Sequence, residues 1–92
     1  MLQFGVMRAY LFYTKGDSGE EQSHALAEQL TQLKVDTLDL DADSIMGAQE
    51  AELYDITSRP SAVVVRDDGA EIQRWSGRLP QSSEISYYVH AL

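Results

Sequence analysis

Apolar positions in this 92-residue chain follow two patterns, short continuous runs and stripes that recur every three or four residues. Arg59-Pro60-Ser61-Ala62-Val63-Val64-Val65 is a run of the first kind. Proline is tolerated at the start of a strand, Val suits a pleated surface, and an unbroken apolar run predicts a strand buried on both faces. Asp67-Asp68-Gly69 then reverses the chain, so Glu71-Ile72-Gln73-Arg74-Trp75 is its expected hairpin partner. Arg8-Ala9-Tyr10-Leu11-Phe12-Tyr13-Thr14 is an aromatic-rich central strand, and Val35 to Leu40 is another, with Leu38 and Leu40 on one face.

Stripes of the second kind predict three helices. Leu26, Leu30 and Leu33, with Ala25 beside them, form one stripe. Its start has capping-box spacing at Ser18-Gly19-Glu20-Glu21, or one residue earlier with Asp17 and Glu20. Asp41-Ala42-Asp43-Ser44 caps a second helix running to about Asp55, whose expected inner face includes Ile45, Ala48 and Leu53. Ile56-Thr57-Ser58-Arg59 leads into the buried strand, and Ser76-Gly77-Arg78-Leu79-Pro80 is a turn. Ser82 or Ser83 caps the last helix, where Ile85, Tyr88 or Val89, and Leu92 share a side. The order is β-α-β-α-β-β-α. Strands separated by helices are expected to pair in parallel through right-handed crossovers, with the final hairpin adding an antiparallel edge. The expected fold class is α/β, a mixed four-stranded sheet with helices on both faces.

Length and composition fit one globular domain, expected at residues 8–92 behind a loose segment at 1–7, with Met7 an alternative start. No apolar run approaches the length that spans a bilayer. Met1 to Arg8 has neither the basic region nor the apolar core of a secretory signal, so a cytoplasmic protein is expected. Charge is more telling. From Asp17 to Asp55 there are eleven acids against Lys34 alone, and the whole chain carries a net charge of −8. Such a surface repels phosphate backbones and anionic lipid, which disfavours nucleic acid and membranes as partners. A solvated acidic face explains it, and a docking face for a basic partner is the alternative.

Candidate chemistry is sparse. The chain has no cysteine, which removes disulfides, thiolate nucleophiles and thiolate metal sites. Ser18 would need a positioned base to act as a nucleophile, and no acidic partner can be assigned to His24 or His90 from sequence. Asp39-Leu40-Asp41-Ala42-Asp43 alternates carboxylates like part of a calcium loop but lacks the following Gly and the distal Glu. No metal and no cofactor are expected. Glu20 and Glu21 stabilise a helix start through its dipole by about 0.3–1 kcal/mol each, and they occupy the end an anionic ligand would use. Of Tyr87-Tyr88 one is expected to pack inward and the other to lie exposed, and Trp75 is expected to cover the core.

Taken in order, these elements resemble the thioredoxin-like superfamily. Leu11-Phe12-Tyr13-Thr14 with the Ser18 helix start is similar to glutaredoxins. Tyr54-Asp55-Ile56 before Arg59-Pro60-Ser61, then Val63-Val64-Val65, Asp68-Gly69 and Trp75-Ser76-Gly77, is similar to thioredoxins. The resemblance spans Arg8 to Leu92 and implies a thioredoxin-like fold with a cis Arg59-Pro60 bond. Where that family carries Cys-x-x-Cys, this chain has Ser18-Gly19-Glu20-Glu21 in one register and Gly16-Asp17-Ser18-Gly19 in the other. Without an attacking thiolate, thiol-disulfide exchange in the family's manner is excluded. Tyr10 to Tyr13 also lacks the buried carboxylate that many thioredoxins carry on the first strand.

What the resemblance then implies is a redox-inactive binding module for a protein or peptide. The alternative is a glutathione-type small-ligand site or an accessory domain of a redox or transferase system. In such a fold three loops meet at one end of the sheet. They bring together Gly16, Asp17, Ser18, Gly19 and Glu20, then Thr57, Ser58, Arg59 and Pro60, then Trp75, Ser76 and Gly77. The main chain at Arg59 can pair with an extended segment. Its guanidinium either supplies specificity or neutralises Glu20 or Asp17 across the groove.

Overall fold

A computed structural model describes residues 7–90. The elements are β1 (Arg8–Tyr13), α1 (Ser18–Gln32), β2 (Asp36–Asp41), α2 (Ile45–Leu53), β3 (Ser61–Val65), β4 (Glu71–Ser76) and α3 (Ser82–His90). They form one mixed four-stranded sheet in the order β2-β1-β3-β4. All five residues of β3 are buried. Ala62 and Val64 face α1 and α3, packing with Ala9, Leu11, Leu26, Leu30 and Ile85. Val63 and Val65 face α2, packing with Tyr10, Phe12, Leu40 and Ala51. Helices therefore cover both faces, and the continuous apolar run is the strand both layers share.

Strand direction departs from expectation at one place. β1 and β2 pair in parallel, but β3 runs antiparallel to β1 although a helix precedes it. Asp41 at the end of β2 pairs with Tyr13, and Ser61 at the start of β3 pairs with Phe12. Both positions lie at the same end of β1. A nine-residue helix is only about 14 Å long at 1.5 Å per residue. It carries the chain across β1 rather than back along it.

Helix faces also depart. The buried positions of α1 are Gly19, Ser23, Leu26 and Leu30. Leu33 is the C-cap and 41% exposed, because the helix ends before the stripe can reach it. The expected inner face of α2 is reversed: Gly47 and Ala51 are buried, while Ile45, Ala48 and Leu53 are exposed. Small residues seat this helix close to the sheet, since a Cβ at Gly47 would overlap the Asp41 carbonyl oxygen.

Both α1 and α2 stop through the same device. Lys34 has φ 65° and Asp55 has φ 60°, and the next N–H groups reach back to Leu30 O and Ala51 O at 2.9 and 2.7 Å. These are Schellman caps with a non-glycine residue in the left-handed region, and Val35 and Ile56 fold into the two halves of the core. The expected loose segment lies outside the described residues except for Met7, which packs against the α1 side. Leu92 also lies outside them.

Candidate functional site

The turn after β1 uses Gly16 at φ +92° and places Asp17 as the N-cap of α1, with extended backbone and no side-chain cap bond. Glu20 Oε1 accepts instead from Gly16 N, one residue before the cap, at 2.9 Å. The helix therefore starts at the earlier of the two expected N-cap positions but without either side-chain bond of a capping box, and the Glu20 carboxylate sits over the positive end of α1. That backbone bond, followed by His24, lowers the Glu20 pKa.

Gly19 joins the first loop to the second. A Cβ there would come within 3.2 Å of two Pro60 ring carbons, so glycine lets the helix start rest against the proline. The Arg59–Pro60 peptide bond is cis. The second loop is tied to the third by Ser61, which is buried: its Oγ donates to Ser58 O at 2.5 Å and accepts from Gly77 N at 3.2 Å. Gly77 turns at φ +79°. Gly16, Asp17, Ser18, Thr57, Ser58, Arg59, Ser76 and Gly77 are all exposed around this contact.

Two expected members turn away from this contact. Trp75 is 7% exposed and packs edge-on against Tyr88 at 5.9 Å, the core cover expected of it. Tyr88 is half-buried and Tyr87 exposed, as the sequence predicts. Arg59 reaches neither Glu20 nor Asp17. Its Nη1 donates to Asp43 Oδ1 at 3.0 Å, because Asp43, just before α2, is the carboxylate next to this loop.

A second cluster was not anticipated. Ser23 Oγ donates to Asp39 Oδ1 at 2.5 Å, His24 Nδ1 lies 2.5 Å from Asp39 Oδ2, and His24 Nε2 lies 3.2 Å from Glu20 Oε2. Tyr13 packs edge-on to the imidazole at 5.0 Å. Asp39 raises the His24 pKa most, burial opposes it, and Glu20 adds to the rise, so the pKa lies above its ordinary value. Both imidazole nitrogens face carboxylates, and the fully buried Ser23 hydroxyl donates to Asp39 and not to His24. The arrangement is a charge clamp between α1 and β2. Alternation along β2 was the available clue: Leu38 and Leu40 face α2, so Asp39 must face α1.

The alternating carboxylates diverge. Asp39 holds Ser23 and His24, Asp41 accepts from Asp43 N at 2.9 Å, and Asp43 holds Arg59. Among the described residues no group of three or more His, Cys, Asp or Glu side chains is placed to hold a metal. His90 Nε2 lies 3.0 Å from Leu33 O, an end-capping contact on α1.

No family model and no curated protein matches the chain by sequence. Solved structures do. A thioredoxin-2 described as a component of the malaria parasite protein secretion machinery superposes with TM-score 0.76 at 12% identity, covering 100% of this chain and 88% of its own. A mutant thioredoxin from Halobacterium salinarum superposes with TM-score 0.76 at 16% identity, over 94% and 74%. Fasciola hepatica thioredoxin gives 0.65 at 21%, over 95% and 81%. The fold is that of thioredoxin. Within this thioredoxin fold the α1 start carries no thiol, because the chain has no cysteine at all. A serine or glycine there cannot form a mixed disulfide. Among the described residues no helix is long and apolar enough to cross a membrane.

Proposed function

We propose that this chain is a redox-inactive binding module that takes an extended protein or peptide segment beside Pro60. The observation that carries the proposal is the state of the X-Pro loop. Thr57, Ser58 and Arg59 are exposed, and their N–H groups find no acceptor among the described residues. Unpaired main-chain donors in the exposed loop that leads into the buried strand suit pairing with an extended chain. Arg59 adds specificity for a carboxylate, in competition with Asp43. The acidic balance supports a protein partner over nucleic acid or anionic lipid, and a cytoplasmic setting belongs to the same proposal.

The glutathione-type alternative needs a helix N-terminus open to an anion, and here Glu20 already occupies it. The experiment is selection from a displayed peptide library, followed by affinity measurement on wild type, Arg59→Glu and Asp43→Asn. Arg59→Glu should weaken selected carboxylate-bearing peptides several-fold, and Asp43→Asn, which frees the guanidinium, should tighten them. Peptides indifferent to both changes would remove Arg59 from the site. Thermal unfolding with millimolar glutathione separates the alternative, because only a ligand of the native state raises the midpoint.

A further inference from the structure

Helix α2 turns its large apolar side chains away from the protein. Ile45 is 85% exposed, Met46 56% and Leu53 69%, while Gly47 and Ala51 are buried. At 3.6 residues per turn, Ile45, Gln49, Leu53 and Met46 fall on one outward arc roughly 100° wide, opposite Gly47 and Ala51. An ordinary surface helix has the reverse pattern. Nothing in the core needs these three side chains, because α2 is anchored by other means. Gly47 gives close approach to β2, Ile56 N closes on Ala51 O, and Arg74 donates to the carbonyls of Tyr54 and Asp55 beyond the helix end.

Charge says what covers the arc. Glu50 and Glu52 fall on its two borders, and α2 carries no Lys or Arg. Neither glutamate makes an ion pair among the described residues. We propose that this face docks a basic amphipathic helix of another protein. The partner's apolar stripe covers Ile45, Met46 and Leu53, and its flanking Lys or Arg side chains meet Glu50 and Glu52. A second copy of this chain is a poor occupant, since it would bring the same two glutamates, and a net charge of −8, against their own kind. Anionic lipid fails on sign as well. The helix is about 14 Å long, so the interface is small and the complex transient. This surface is independent of the X-Pro loop, and either proposal can fail alone.

The probe is a fluorescein-labelled peptide of Leu and Lys in which Leu recurs every three or four residues, the spacing of a basic amphipathic helix, titrated into the full chain by anisotropy and by amide chemical shift. Saturable binding is expected, with the shifts centred on residues 45–53. Met46→Ser with Leu53→Ser should weaken it by about tenfold or more, as loss of central apolar anchors does. Glu50→Gln with Glu52→Gln should weaken it several-fold and flatten its salt dependence. Glu21→Gln with Glu28→Gln on α1, an equal loss of charge, should leave it unchanged. Absence of binding, binding that survives the serine pair, or binding that depends equally on the α1 acids would overturn the proposal. So would a wild-type dimer in sedimentation that Leu53→Ser dissolves, since the occupant would then be a second copy. All six positions are exposed or half-exposed, and the shift map on wild type needs no variant to fold.

Discussion

The two faces of the sheet are covered by helices held in opposite ways. On one face α1 inserts Leu26 and Leu30, and their contacts with Leu11, Val64 and Ile85 are what keep it there. On the other face α2 inserts only Gly47 and Ala51 and leaves Ile45, Met46 and Leu53 in solvent. A helix anchored by large side chains spends its apolar surface on the fold. One anchored by backbone approach and caps keeps that surface available.

The sharpest way to break this contrast is a pair of truncations. Leu30→Ala should cost about 3 kcal/mol in denaturant unfolding, within the range for a fully buried leucine. Leu53→Ala, the same chemical change, should stay within about 0.5 kcal/mol, as at exposed positions generally. Equal losses would mean that α2 is held by its large side chains after all. Next in size is Gly47→Ala. The added Cβ overlaps a backbone oxygen that cannot move without displacing β2, so about 2 kcal/mol of destabilisation is expected from overpacking, despite alanine's better helix propensity. A neutral result would place α2 farther from the sheet.

Much of this was legible beforehand, for identifiable reasons. The run Ala62 to Val65 is buried on both faces and could not be mistaken for an amphipathic element. The element order and the X-Pro loop followed from it and from the capping residues. Missed were the features that depend on small or polar residues. Gly19, Ser23, Gly47 and Ala51 carry helix packing without contributing to an apolar stripe, so the periodicity of Leu and Ile pointed to Leu33, Ile45 and Leu53, which are exposed. The clamp of Ser23, His24 and Asp39 needed the register of β2 beneath α1. The Arg59–Asp43 pair needed to know that α2 crosses β1 and returns the chain to the same end.

Two smaller effects concern how α1 is held. Lys34→Gly removes an L-residue from the left-handed region at the end of α1, and should stabilise by about 0.5–1 kcal/mol in thermal or denaturant unfolding. A loss would mean that the lysine side chain contributes more than its backbone strain costs. The smallest effect is pH-dependent. The His24 pKa is raised above its ordinary 6.5, so its contribution is full below that pH and is lost as pH climbs through the raised value. The Glu20 pKa is lowered from 4.5, so its contribution is lost only as pH falls below that range. The clamp is therefore strongest between those two values. The stability difference between wild type and His24→Gln should be largest there and close in alkaline buffer. A difference that does not change with pH would make the clamp a packing contact alone.

The proposed function places an extended peptide against the X-Pro loop of a thioredoxin fold without a thiol. It is tested most directly by an amide chemical-shift titration of the wild-type chain with a library-selected extended peptide, with glutathione as the comparison. The peptide should produce saturable shifts largest at Thr57, Ser58 and Arg59 and at Gly16 to Glu20, and glutathione none there. Peptide shifts confined to other surfaces, or glutathione shifts centred on the α1 start, would contradict it.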